Sequence, residues 1–481
     1  MDISIILTGV LAGSGLLLPA LDIVIGIKSN RTFSAYFTSF VIAISLMLVL
    51  LSASSVIPLS ESVAPKLVQN DLMGLVFSMV VLSVSLIVAL SSIDYMRDEP
   101  NAATYYSLLL FTSLGMVLLS FAADLLMIFV AWELVGIPTF ILAGYRKKDP
   151  LSNEGAVKFF LLGALSTGVL LYGISIMFGL TGSTNLAAVA AALSTLDASM
   201  MPMLAFGAIL LIAGLGLKLS IVPFHMWIPD AYEGAPTTVS TLLSAGTKKA
   251  GFVAAIRIFA VAFPLLKLDL TLALAVIALA TMTLGNLAAL TQKSMTRLLA
   301  YSSIAQAGYM VIGLAVMPSS NLGLTGLLYH SFNHALMQGV AFLAAGMISS
   351  RFSKTSLEPY EGLSRSMPLT SFSLTIALLG LAGMPPLSGF WSKLILFTAA
   401  VDGNLTWLAF AGLLNSALSL GYYGLIVKRM YVDEPSSTQK VHEPAGFALL
   451  LLAASIVVIV TGIYPAPIYD LTQRAVLAFA P

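Results

Sequence analysis

The sequence predicts an all-α, polytopic membrane protein of about fourteen transmembrane helices, with two inverted five-helix repeats and broken seventh and twelfth helices. Three observations carry that prediction: too few charges to solvate a surface, apolar blocks of membrane-crossing length, and a one-sided distribution of basic residues. Apolar residues make up 58% of the chain and charged residues only 9%. Soluble domains carry about 25% charged residues, so most of this surface must face lipid.

A helix needs about 20 apolar residues to cross the hydrocarbon core. Blocks of that kind run over 3–26, 33–54, 74–94, 104–121, 124–144, 154–180, 203–222, 237–262, 269–290, 297–316, 323–348, 369–401, 404–427 and 446–466. The two long connections, 55–73 and 181–202, are Ser/Ala-rich, and neither is large enough to fold separately. The chain therefore reads as one membrane domain over 1–481. The N-terminus, MDISIILTGV, lacks the basic stretch of a cleaved secretory signal, so the first span is expected to stay.

The basic residues test the span count. With the N-terminus outside, the inside loops hold fourteen of the 23 Lys and Arg: Lys28, Arg31, Arg97, Arg146, Lys147, Lys148, Lys293, Arg297, Arg351, Lys354, Arg365, Lys428, Arg429 and Lys440. The outside segments hold three, Lys66, Lys267 and Arg474. That bias is the positive-inside pattern, and a miscounted span would scramble it. Both termini are then expected on the non-cytoplasmic side of a prokaryotic inner or plasma membrane.

Two spans are interrupted. The seventh reads GLGLKLSIVPFHMWIPDAYEGAP, where Pro223 and Pro229 are expected to end a helix that holds Lys218. The twelfth reads LLGLAGMPPLSGFWSKLILF, where Gly383, Pro385, Pro386 and Gly389 interrupt the run before Lys393. The breaks lie five spans apart, and an odd offset turns the second copy upside down. Inverted repeats over roughly 104–262 and 269–427 follow, and paired interruptions of this kind point to ion sites near the bilayer midplane.

Six basic residues remain within or close to the spans: Lys158, Lys218, Lys248, Lys249, Arg257 and Lys393. A charge at a helix centre costs about 2.5–3.5 kcal/mol on insertion scales, so each needs a role or a partner. Glu133, in AWELVGIPTFILAGY, lies near the middle of the fifth span. With Lys218, Lys248 and Lys393 it can form a row of ionisable stations along the midplane. Lys248 and Lys249 are adjacent, point about 100° apart, and cannot both face one narrow path. Desolvation disfavours the ammonium and a nearby carboxylate restores it. Approach and separation of Glu133 and Lys218 would therefore load and release a proton. The competing reading is a static ion pair locking two helices. Lys158, in NEGAVKFF, either snorkels to the interface or serves as a second partner of Glu133.

Histidine exchanges protons near neutral pH, which suits a relay between lysines. His225 follows the seventh-span break in PFHMW, and His330 and His334 sit at i, i+4 in the eleventh span. Thr247, Ser302, Ser303, Tyr329 and Gln338 can anchor connecting water. The His pair has no acidic residue near it in sequence, so no metal site is expected. Asp22, Asp94 and Asp124 lie near span ends, where a solvated or capping role is expected. The chain has no cysteine, which removes disulfides, thiol catalysis and thiolate-held clusters. No phosphate-binding Gly-rich loop is present, so neither ATP nor a dinucleotide is expected to bind.

Several of these stretches also carry a resemblance. AWELVGIPTFILAGYRKKDPLSNEGAVKFF, IVPFHMWIPDAYEGAPTTVSTLLSAGTKKAGFVAAIR and GMPPLSGFWSKLILF are similar to the antiporter-like N-type subunit of complex I and its archaeal deazaflavin- or ferredoxin-dependent versions. The resemblance covers most of 104–430. It implies a proton-translocating subunit of a NADH–quinone-type oxidoreductase, driven by electron transfer elsewhere. Glu133 would tune Lys218, Lys248 would be the central lysine, His225 a relay, and Lys393 the lysine of the second half-channel. Lysine at 393 argues against the M-type, and the length argues against the L-type. YHSFNHALMQGVAFLAAG is more similar to the M-, L- and cation-antiporter pattern, which implies an archaeal or early-branching assembly. No cofactor is expected on this chain; iron–sulfur clusters, flavin and quinone are expected in partner subunits. The expected partners are M-, L- and K-type membrane subunits and lipid, with no nucleic acid. A subunit of a multisubunit sodium/proton antiporter or membrane-bound hydrogenase is the alternative, and a non-conducting scaffold the other.

Overall fold

A chain in lipid must satisfy its backbone internally, and helices do so within one segment. The computed structural model describes residues 2–25, 32–96, 99, 101–262, 267–352, 354–435 and 443–479, and among these no strand forms. Lys28, Arg31, Arg97 and Lys440 lie outside the described residues. The first eight helices are α1 (Ile3–Ile25), α2 (Thr32–Ala53), α3 (Leu72–Tyr95), α4 (Ala102–Phe121), α5 (Leu125–Ala143), α6 (Pro150–Thr181), α7 (Leu186–Ser194) and α8 (Met201–Leu219). Then come α9 (Ile228–Gly234), α10 (Thr237–Thr241), α11 (Lys248–Ala262), α12 (Lys267–Leu290), α13 (Met295–Val316) and α14 (Asn321–Phe352). The last five are α15 (Pro368–Ala382), α16 (Ser388–Asp402), α17 (Thr406–Tyr431), α18 (Ala445–Ile463) and α19 (Ala466–Phe479).

Among the described residues, twelve helices are long and apolar enough to cross a membrane. The two other expected spans are helical but segmented. Residues 237–262 comprise α10, a π-helical segment over Leu242–Thr247, and α11. Residues 368–402 comprise α15 and α16, separated by the Gly-Pro-Pro interruption. Helix α8 stops at Leu219, with Ser220 left-handed at φ 68°, and α15 stops at Ala382, with Gly383 at φ 89°. Each interruption contains a cis X-Pro bond, Val222–Pro223 and Pro385–Pro386. Pro229 departs from expectation: it stands in the first turn of α9 and opens that helix. Proline is tolerated there because the first-turn amide has no intrahelical acceptor.

The chain divides into two compact units. The first comprises Met1–Ser220, Gly246–Leu270 and Arg474–Pro481; the second comprises Ile221–Ala245 and Thr271–Gln473. In the first unit, carboxylates cap helix starts. Asp71 accepts from the Gly74 amide, and Asp124 accepts from the Leu126 and Met127 amides and from the Thr184 hydroxyl. Asp124 is thus a cap. Between apolar helices in lipid, close approach of small residues replaces the hydrophobic effect. Helices α6 and α8 show it: a Cβ on Gly214 would stand 2.6 Å from the Leu170 Cα. In the second unit, a Cβ on Gly389 would overlap the Gly380 carbonyl oxygen, so only glycine lets α16 start against α15.

Candidate functional site

In the first unit, α8 carries Lys218 in its last turn, one residue before its end, and α5 carries Glu133. Lys218 is 6% exposed, and its ammonium donates to the Trp132 carbonyl oxygen at 2.8 Å. The same ammonium lies 4.3 Å from the centroid of the Trp132 ring. Glu133 forms no direct ion pair with Lys218 among the described residues. The Glu133 carboxylate instead accepts from the Thr167 hydroxyl of α6 at 2.7 Å.

Lys248 and Lys249 start α11 directly after the π-helical segment, and both are buried. Lys158 is half-exposed and forms an i, i+4 ion pair with Glu154 at 2.6 Å. That pair lies on the exposed face of α6, the surroundings that snorkelling requires. Arg257 is the remaining buried cation among the described residues of this unit. Its guanidinium grips Asp71 with two hydrogen bonds, at 3.0 and 2.8 Å, and also donates to the Ser120 carbonyl.

In the second unit, the interruption before α16 brings Lys393 back towards the end of α15. The Lys393 ammonium donates to the Ala382 carbonyl at 3.1 Å and to the Ser416 hydroxyl of α17 at 2.9 Å. It lies 4.5 Å from the centroid of the Tyr309 ring. Its chain neighbour Ser392 hydrogen-bonds His330 Nδ1 at 2.9 Å, and the rings of His330 and His334 are 5.8 Å apart. Ser392, His330 and His334 are thus brought together and buried, while the Lys393 side chain meets Ala382, Ser416 and Tyr309. His225 lies half-buried in the turn after the first interruption, and its Nδ1 has no hydrogen-bond partner among the described residues.

Neutral polar groups surround this cluster. Gln338 donates to the Leu299 carbonyl and Gln306 to the Leu381 carbonyl, while the Oε1 of each is buried without a protein donor among the described residues. Buried acceptors of this kind are ordinarily satisfied by ordered water. Ser302 bonds the Tyr423 hydroxyl, and Ser303 bonds Ser244 at 2.8 Å. No group of three His, Cys, Asp or Glu able to hold a metal occurs among the described residues.

Sequence reasoning missed Trp132, Thr167, Tyr309, Ser416, Asp230 and Glu233. The aromatic and hydroxyl residues carry no signal, because each is common in packed membrane helices. Asp230 and Glu233 were visible in PDAYEGAP but had no assigned partner. They bind Arg297 at 2.9 and 3.1 Å, which ties α9 to the start of α13.

Residues 122–419 match the family described as NADH:quinone oxidoreductase/Mrp antiporter, TM. The chain is 40% identical over 423 residues to the F(420)H(2) dehydrogenase subunit N of Methanosarcina mazei, covering 85% of each chain. It is 38% identical over 411 residues to the NADH-quinone oxidoreductase subunit N of Trichlorobacter lovleyi, covering 84% of each. Its fold is similar to a chain of respiratory complex I from Thermus thermophilus, with a TM-score of 0.83, 30% identity, and coverage of 97% of this chain and 99% of that one.

Proposed function

The chain belongs to the NADH:quinone oxidoreductase/Mrp antiporter transmembrane family, as an N-type antiporter-like subunit, and we propose that it conducts protons through its buried lysines while electrons move in other subunits. The observation that carries this reading is the placement of Lys218 and Lys393. Each is a buried titratable side chain, and each is held by neutral acceptors, with no contacting carboxylate among the described residues. A group held this way can give up its proton without leaving an opposite charge buried and unpaired.

Glu133 is the group that sets when Lys218 releases. Drawn towards Lys218 it favours the ammonium; held by Thr167 it leaves the lysine freer to pass its proton towards Lys248. In the second unit, Lys393, Ser392, His330 and His334 form the corresponding exchange group, with His225 as a relay. Moving one charge against 100 mV requires about 2.3 kcal/mol, and a change of two pKa units at a station supplies about 2.7 kcal/mol. Inverted repeats over roughly 104–262 and 269–427 are part of this reading. They are supported by two interruptions that share a left-handed helix end and a nearby buried lysine.

The partners are M-, L- and K-type subunits of a complex I-like assembly whose other subunits hold the flavin, iron–sulfur clusters and quinone. The membrane is a prokaryotic inner or plasma membrane, with both termini on the non-cytoplasmic side. Lysine stations and a single carboxylate suit protons; sodium sites gather carboxylate and carbonyl oxygens. The test is redox-driven acidification of proteoliposomes holding the purified assembly. Lys218→Ala and Lys393→Met are expected to abolish the pumping that passes through this subunit, and omitting sodium to leave wild-type pumping unchanged. Undiminished pumping per electron in both variants would establish a scaffold instead.

A further inference from the structure

The two interrupted helices deliver their lysines into seats of the same kind. In the first unit, Trp132 supplies both parts of the seat: its carbonyl accepts from Lys218 at 2.8 Å and its ring lies 4.3 Å from the ammonium. In the second, the Ala382 carbonyl accepts from Lys393 at 3.1 Å, Ser416 accepts at 2.9 Å, and the Tyr309 ring lies 4.5 Å away. Ser416 also donates to the Ala382 carbonyl at 2.8 Å, which fixes its lone pairs towards the lysine. Trp132 is 2% exposed and Tyr309 is fully buried.

An aromatic face carries negative potential, and its attraction for an ammonium grows when both partners are desolvated. A neutral amine feels almost none of that attraction. The carbonyl adds an acceptor that neither titrates nor moves. Ring and carbonyl together favour a charged lysine in the interior without a contacting carboxylate, which would trap the proton.

We infer that Trp132 and Tyr309 are positioning residues that seat the loaded forms of Lys218 and Lys393, so that a proton leaves only when the ammonium is drawn off its ring. This inference rests on the proton-conducting reading above. A ring that merely filled space would be replaceable by an aliphatic side chain of similar volume. A seat of the proposed kind depends on the electrons of the ring.

The experiment uses the intact assembly in proteoliposomes and reads protons moved per electron. Trp132→Leu and Tyr309→Leu are expected to lose pumping by about tenfold, the scale of a desolvated cation–π contact. Trp132→Phe and Tyr309→Phe, which keep a ring, are expected to recover most of it. Site-specific fluorinated tryptophan at 132 and fluorinated phenylalanine at 309 keep shape while draining the ring face. Pumping is expected to fall step by step with each added fluorine. Equal losses in the Leu and Phe variants, or a flat fluorine series, would overturn the inference. The series decides the matter even where a Leu variant does not assemble. Lys218→Ala and Lys393→Met run in parallel. If they pump normally, the conduction reading and this inference both fail; if they do not pump while the fluorine series stays flat, only the seat fails.

Discussion

Replacing Asp71 by asparagine tests whether Arg257 is an anchor. The Arg257 side chain is 2% exposed and the Asp71 side chain 10%, and two hydrogen bonds of 2.8 and 3.0 Å join them. Asparagine keeps an oxygen able to cap α3 at the Gly74 amide, so the change spares the cap while removing the charge and one of the two acceptors facing Arg257. Leaving one member of a buried pair uncompensated costs about 3–5 kcal/mol. At about 2–4 °C per kcal/mol for a unit of this size, the melting temperature should fall on the order of 10 °C. The double variant Asp71→Asn/Arg257→Met removes the stranded cation. It places an apolar chain where the guanidinium now lies 5.6 Å from the Phe479 ring centroid, and should recover most of the loss. The assay is thermal unfolding of the purified assembly in detergent, followed by circular dichroism. A loss below about 1 kcal/mol in the single variant, or a double variant less stable than the single, would refute the buried-pair argument.

Thr167→Val removes the hydroxyl that holds Glu133 at 2.7 Å while keeping the side-chain shape. Hydrogen bonds to charged groups contribute about 1.5–3 kcal/mol, so Glu133 should shift towards Lys218 and slow its proton release; the readout is redox-driven acidification, and unchanged pumping would count against Glu133 as the switch. Asp2 supplies a pH prediction. Burial pushes its carboxyl up, but hydrogen bonds from Asn70, Val63, Ser4 and Ile5 outweigh that and hold it well below the usual carboxylate range. Because the folded value is depressed, its stabilisation is present above the ordinary carboxylate value and is lost as pH falls towards the folded one. Asp2→Asn should therefore lower the melting temperature at pH 7 and flatten its fall on acidification below pH 4; parallel melting curves for variant and wild type would sink the prediction.

What could be read from the chain follows from what lipid makes costly. Apolar blocks mark the twelve membrane-length helices among the described residues, because a membrane admits few other ways of satisfying the backbone. The interruptions were legible because proline cannot continue a helix, although Pro229 opens α9 and ends nothing. The π-helical segment over Leu242–Thr247, LLSAGT, has no such marker, since it holds no proline and Ser, Gly and Thr are common inside membrane helices. Partnerships were harder to see. Asp71 and Arg257 lie 186 positions apart, and only the fold brings them together.

Those partnerships separate the paired cations from the unpaired ones, a distinction that charge alone does not make. Arg257 touches Asp71, and Arg297 touches Asp230 and Glu233. Guanidinium does not deprotonate in proteins, and a contacting carboxylate removes any reason for it to do so, so these residues hold helices together. Lys218 and Lys393 are held by carbonyls, a hydroxyl and aromatic faces, none of which carries a compensating charge. On the proton-conducting reading, such a seat lets a lysine be loaded and discharged, whereas a contacting carboxylate keeps a guanidinium in place as an anchor.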